Sequence, residues 1–158
     1  MGLLVTEEQV SRFRMEGFLV VEDVLTAEVE SVATRADLIA AGRAEHVPET
    51  SIQLEKTFRD GQRPVTDPVL AVRKLYNLAV CDDVMWRHAC HPRIVDIVAS
   101  LLGTEDIKMY GDQLFMKAPE TGTEQPWHQD SASWRDILPM DLVTAWTALD
   151  DATTENGC

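Results

Sequence analysis

His128 and Asp130 stand two residues apart in the segment Gln125-Pro126-Trp127-His128-Gln129-Asp130-Ser131, and they are the pair in this sequence best suited to chemistry. In an extended chain alternate side chains leave the same face, so an imidazole and a carboxylate at this spacing converge on one point. One neutral imidazole nitrogen and one carboxylate make two-thirds of the 2-His-1-carboxylate facial triad, which holds non-haem Fe(II) with open coordination positions. The tripeptide alone also fits a solvated strand end. Its weight therefore depends on the elements around it.

Those elements change character along the chain. Thr6 and Gln9 have capping-box spacing, Val10 and Phe13 follow at helical intervals, and Gly17 ends that helix. Phe18–Val21 reads as a strand. Thr26 is expected to cap a second helix from Ala27 to about Gly42, with Val29, Val32, Ala33, Ala36 and Ile39 or Ala40 on one face. Residues 46–68 are polar and broken by Pro48, Gly61, Pro64 and Pro68, which predicts a long irregular segment with a short strand at 51–55. Val69–Leu78 reads as helical, and so do the turns from Asp82 to His88. Pro92 opens a helix with an apolar face from Ile94 to Leu102, closed by Gly103. The period then falls to two, predicting strands at 107–117, 127–130 and 142–149. Helices first and strands last give an α+β order.

Composition narrows the function class. The 158 residues suffice for one domain with a core, with 45% hydrophobic and 26% charged residues. No apolar run approaches the roughly 20 residues that span a bilayer, and the start lacks the basic region of a secretory signal. A net charge of -13 disfavours nucleic acid and anionic membranes as partners. Cys81, Cys90 and Cys158, odd in number and unpatterned, fit free thiols in a reducing cytoplasm. His88, Cys90 and His91 bunch together, but zinc in a structural site wants four ligands and no fourth stands at a suitable distance.

Around the His-Gln-Asp motif lie Gln113-Leu114-Phe115-Met116-Lys117-Ala118-Pro119 upstream and Ala145-Trp146-Thr147-Ala148-Leu149-Asp150-Asp151-Ala152-Thr153-Thr154-Glu155-Asn156-Gly157 downstream. In this order they strongly resemble the phytanoyl-CoA dioxygenase family, and Thr6–Gln9, Phe13 and Gly17–Val21 extend the resemblance to the N-terminal half. The resemblance implies an Fe(II)- and 2-oxoglutarate-dependent dioxygenase on a double-stranded β-helix, a jelly-roll barrel. It would hydroxylate a small-molecule substrate with O₂ and release succinate and CO₂. It implies one oxygenase domain over residues 1–158, with a helical support region at 1–105 and the first barrel strands at 106–158.

Residue by residue, the resemblance makes His128 and Asp130 metal ligands. The carboxylate at position 130 favours oxygen insertion over halogenation, because related halogenases carry a small residue there. Gln113 and Trp146 match positions beside 2-oxoglutarate; a barrel-lining glutamine and a core tryptophan with its indole N–H satisfied are the alternatives. Arg73-Lys74 matches a basic residue ahead of the sheet, with Lys74 preferred as the partner of a cosubstrate carboxylate and a solvated helix face as the alternative. Trp127 and Trp134 would pack at the barrel mouth or wall a substrate pocket. A jelly roll needs eight strands, and only three or four are found after Ile107. The expectation is therefore a chain that stops before a distal second His and a basic residue anchoring 2-oxoglutarate, inactive on its own. A non-catalytic cupin-like binding module is the competing reading, and a helical interaction protein a remoter one.

Overall fold

The structure is a computed structural model that describes residues 4–25, 27–134 and 137–156. The chain divides into two compact units, one formed by Met1–Val24, His91–Lys108 and Glu124–Trp146, the other by Leu25–Cys90, Met109–Thr123 and Thr147–Cys158.

The second unit holds the main core. Helix α2 (Glu28–Ala40) buries Val32, Ala36, Ile39 and Ala40, the apolar stripe of a 3.6-residue period. They pack with Ala44, Val47, Val72, Leu75, Leu78 and Met85. Beside α2 lies a three-stranded antiparallel sheet in the order β1 (Ile52–Leu54), β2 (Val72–Tyr76), β3 (Gln113–Phe115). Leu75 of the central strand stands opposite Ile52 and Leu114, and Lys74 opposite Gln53 and Phe115. One-turn helices α3 (Lys56–Arg59) and α4 (Pro68–Ala71) flank the strands, and α5 (Asp83–Ala89) packs on α2.

Asp82 ties α5 down. Its Oδ1 accepts the Val84 and Met85 amides, capping the helix, and its Oδ2 accepts Arg35 Nε at 2.7 Å and meets His46 Nε2 at 3.0 Å. Burial pushes this carboxyl up, but the bonds from Arg35, His46 and the Met85 amide, with the Arg35 charge, outweigh it and hold the pKa at about 2. His46, at the head of the polar 46–68 segment, is thus part of a structural network.

In the first unit, α1 (Glu7–Glu16) carries the full Thr6/Gln9 capping box and ends at Gly17, whose φ of 82° suits glycine. It packs with α6 (Pro92–Leu102), which Pro92 opens and Gly103 closes. His91 is the N-cap of α6, its Nδ1 accepting the Arg93 amide.

Several expectations are corrected. Val69–Leu78 is not a helix: one turn at Pro68–Ala71 gives way to the central strand. The register of β1 on β2 shifts between Gln53 and Leu54, so β2 buries Val72 and Leu75, three residues apart, a spacing that mimics a helical face. Phe18–Val21 forms no strand, and Phe18 and Val20 are exposed. Of the three late strands expected, only Gln113–Phe115 is paired; 127–129 and 142–149 are irregular, and Asp130 opens a 3-10 turn. The architecture among the described residues is thus α+β with a small sheet. The expected cap Thr26 lies outside the described residues, and Ala27 is the N-cap position observed. No helix is long and apolar enough to cross a membrane among the described residues.

Candidate metal centre

His128 and Asp130 converge without the help of a sheet. Gln129 between them is extended, with φ -114° and ψ 128°, and Asp130 then opens a single 3-10 turn to Ala132. One extended residue is enough to turn the flanking side chains to the same side. His128 Nε2 lies 3.3 Å from Asp130 Oδ1, and the two side chains are 49% and 44% exposed. His128 Nδ1 lies 2.7 Å from the Pro126 carbonyl, an acceptor only, so Nδ1 carries the proton and donates. In the neutral ring that leaves the Nε2 lone pair facing the carboxylate. A second hydrogen bond of this kind is what orients metal-binding histidines.

The spacing fits a metal ion. Two ligands at roughly 2.1 Å from a first-row metal and at right angles stand about 3.0 Å apart. Imidazole with carboxylate is also the donor set that suits iron. Among the described residues no third His, Cys, Asp or Glu completes a cluster with them.

A second pair forms in the other unit. Lys74, on central strand β2, extends its Nζ to Gln113 Oε1 at 3.1 Å, across the diagonal of the β2–β3 ladder. The same ammonium lies 4.5 Å from the centre of the Phe115 ring. Gln113, Phe115 and Lys117 are exposed and alternate with half-buried Leu114 and Met116, as the period-two pattern predicts. Arg73, the neighbouring cation, is turned instead to Glu55, its Nη1 lying 3.2 Å from Oε1. The doublet is therefore split by the strand: Arg73 serves an internal ion pair, and Lys74 presents its charge on the Gln113 face.

Trp146 is corrected. It is 71% exposed in an irregular stretch, neither a core tryptophan nor mid-strand. Trp127 is fully exposed. The sequence reading overlooked Glu55 and Thr123, which meet through Oε2 and Oγ1 at 2.8 Å. The available signal for Glu55 was an acid directly after the apolar alternation of Ile52 and Leu54.

The sequence profile of the phytanoyl-CoA dioxygenase (PhyH) family matches residues 13–158, nearly the whole chain. The chain belongs to this family. Among curated relatives, a probable phytanoyl-CoA dioxygenase of Caenorhabditis elegans is 26% identical over 99% of this chain and 51% of its own length. The L-proline trans-4-hydroxylase of Streptomyces griseoviridis is 37% identical over 55% of this chain and 33% of its own. An ectoine dioxygenase of Sphingopyxis alaskensis is 26% identical over 97% and 47%. The chain thus spans about half the length of curated relatives that it matches end to end. No solved structure matches the chain significantly.

Proposed function

We propose that the whole protein is an Fe(II)- and 2-oxoglutarate-dependent dioxygenase that hydroxylates a small organic substrate. One observation carries the reading: His128 Nε2 and Asp130 Oδ1 converge at 3.3 Å, with the imidazole tautomer set by Pro126. Membership of a dioxygenase family and likeness to relatives named as a hydroxylase and dioxygenases give the direction of the chemistry. The three-stranded sheet is, on this reading, part of a jelly-roll barrel within a single oxygenase domain, and a distal His is the third ligand.

His128 and Asp130, with that distal His, would hold the iron and leave room on it for 2-oxoglutarate and O₂. Bound there, the metal and cosubstrate supply oxidation of a C–H bond to an alcohol, with 2-oxoglutarate leaving as succinate and CO₂. The protein's own part is orientation and charge. Pro126 keeps the His128 proton on Nδ1, so Nε2 stays a donor of electrons. Lys74 offers a cation for a 2-oxoglutarate carboxylate, steadied by Gln113 and by the face of Phe115. Trp146, exposed as it is, is the remaining cosubstrate contact on this reading.

The test is succinate release by the whole protein, supplied with Fe(II), 2-oxoglutarate and a panel of free amino acids, carboxylic acids and acyl-CoA thioesters. Substrate-stimulated succinate lost in Asp130→Ala supports the reading. Tight metal binding with no turnover on any of the panel would favour a cupin-like binding module instead.

A further inference from the structure

Glu55 is only 1% exposed, yet it carries a carboxyl group. A buried acid has to be met by donors. It occupies the N-cap position of α3 but makes no side-chain cap bond there. Its donors come from far along the chain. Arg73 Nη1 lies 3.2 and 3.4 Å from its two oxygens. The Thr123 amide donates to Oε1 at 3.3 Å, and the Thr123 hydroxyl donates to Oε2 at 2.8 Å. Arg73 Nη1 also donates to the Thr123 carbonyl at 3.1 Å and to its hydroxyl oxygen. An exposed loop residue is thus held through its N–H, C=O and Oγ1 by an ion pair between the residue that follows β1 and the central strand.

Thr123 is the last residue of its unit before the chain enters Glu124–Trp146, and His128 follows five residues later. We propose that the Glu55–Arg73 pair is a positioning device that fixes Thr123, so that the segment bearing His128 and Asp130 starts from a defined point. Five residues reach at most about 17 Å, so freedom at Thr123 passes directly to the ligands. Preorganised ligands bind a metal more tightly than ligands that must be ordered on binding. The inference rests on reading His128 and Asp130 as metal ligands. Thr123 touches no reacting group and acts only through them.

Replacing Glu55 or Arg73 would strand a buried charge and endanger folding. The informative variant is Thr123→Val, which keeps the β-branched shape and removes the hydroxyl, with Thr123→Ser as its conservative rescue. Two quantities are measured on the whole protein: ¹⁵N order parameters of residues 124–130 without metal, and the dissociation constant for Mn(II). Thr123→Val is expected to lower the order parameters and weaken Mn(II) binding about tenfold, as loss of an outer support does. Thr123→Ser is expected to restore both. Unchanged order parameters in Thr123→Val overturn the proposal. So does lower order with unchanged Mn(II) affinity, provided His128→Ala abolishes that affinity. Mn(II) binding indifferent to His128→Ala would overturn the metal reading and, with it, this role for the tether; order parameters would then show whether Thr123 still fixes the segment.

Discussion

Asp82 and Asp130 are the same side chain in opposite settings. Asp82 sits in the second unit with its side chain 1% exposed, and donors fill both oxygens: two helix amides on Oδ1, Arg35 and His46 on Oδ2. A carboxylate has about four acceptor sites, and here the fold uses all of them. Asp130 is 44% exposed and faces the Nε2 of a histidine whose other nitrogen is already engaged. Both carboxylates have a histidine within 3.3 Å. What separates them is whether the protein's own donors use up the lone pairs. Asp82 spends its capacity on holding α5 and α2, whereas Asp130, among the described residues, keeps capacity that on the proposed reading goes to a metal ion.

The sharpest way to break this contrast is to remove each side. His128→Ala or Asp130→Ala is expected to weaken Fe(II) or Mn(II) binding, and with it 2-oxoglutarate turnover, by more than about a hundredfold, beyond the loss seen for an outer partner. The melting temperature should hardly move, because both side chains are half exposed. Asp82→Ala should do the reverse. It leaves Arg35 and the first turn of α5 without their acceptor, costing about 3–5 kcal/mol in chemical denaturation. Metal affinity of the protein that remains folded should be unchanged. If Asp82→Ala weakened metal binding as much as Asp130→Ala, the division between a structural and a chemical carboxylate would fail.

The same division explains what could be read from the sequence. The His-Gln-Asp motif was legible because it needs only one extended residue, a local condition that Gln129 meets. The boundaries of α1 and α6 were legible for a similar reason, since Thr6, Gln9, Gly17, Pro92 and Gly103 act within a turn of where they stand. The central strand was not, because the shifted register against β1 gives Val72 and Leu75 a helical spacing, and that register is set by residues some twenty positions away. Glu55–Thr123 and His46–Asp82 were not legible as pairs for the same cause: the partners are 68 and 36 residues apart, and no local spacing joins them. Arg73-Lys74 was half legible. The doublet stood out, but only the alternation of a strand sends one cation to Glu55 and the other to Gln113.

Lys74 and Arg73 offer a finer version of the comparison, a cation presented against a cation consumed. Lys74→Ala is expected to raise the KM for 2-oxoglutarate about ten- to a hundredfold, the equivalent of one charge-assisted hydrogen bond of about 1.5–3 kcal/mol. The KM for the hydroxylated substrate should change far less, and stability should shift little. Initial-rate kinetics on the whole protein separate the two constants. An unchanged 2-oxoglutarate KM would make Lys74 a sheet-surface lysine whose business ends with Gln113 and Phe115.

The smallest expected effect lies in acid. The Asp82 carboxyl is held at about 2, below its ordinary 3.8, so the folded state binds this proton less readily than the unfolded chain. Its stabilisation is present in full above the unfolded value and is lost as pH falls through the window from 3.8 to about 2. Somewhat under two pH units at 1.36 kcal/mol each amounts to about 2 kcal/mol. Many other carboxyls also titrate there in a chain with 27 acidic residues, so the wild-type acid limb alone identifies nothing. The difference between wild type and Asp82→Asn does, because an amide has the shape of a protonated carboxyl and no proton to bind. Denaturant midpoints should place wild type well above the variant at roughly pH 5 and bring the two about 2 kcal/mol closer by about pH 2. A gap that stays constant over this range would mean that Asp82 gains no more from Arg35 and His46 when charged than when neutral. The proposed exhaustion of its lone pairs would then be a matter of hydrogen-bond count alone, with no preference for the charged form.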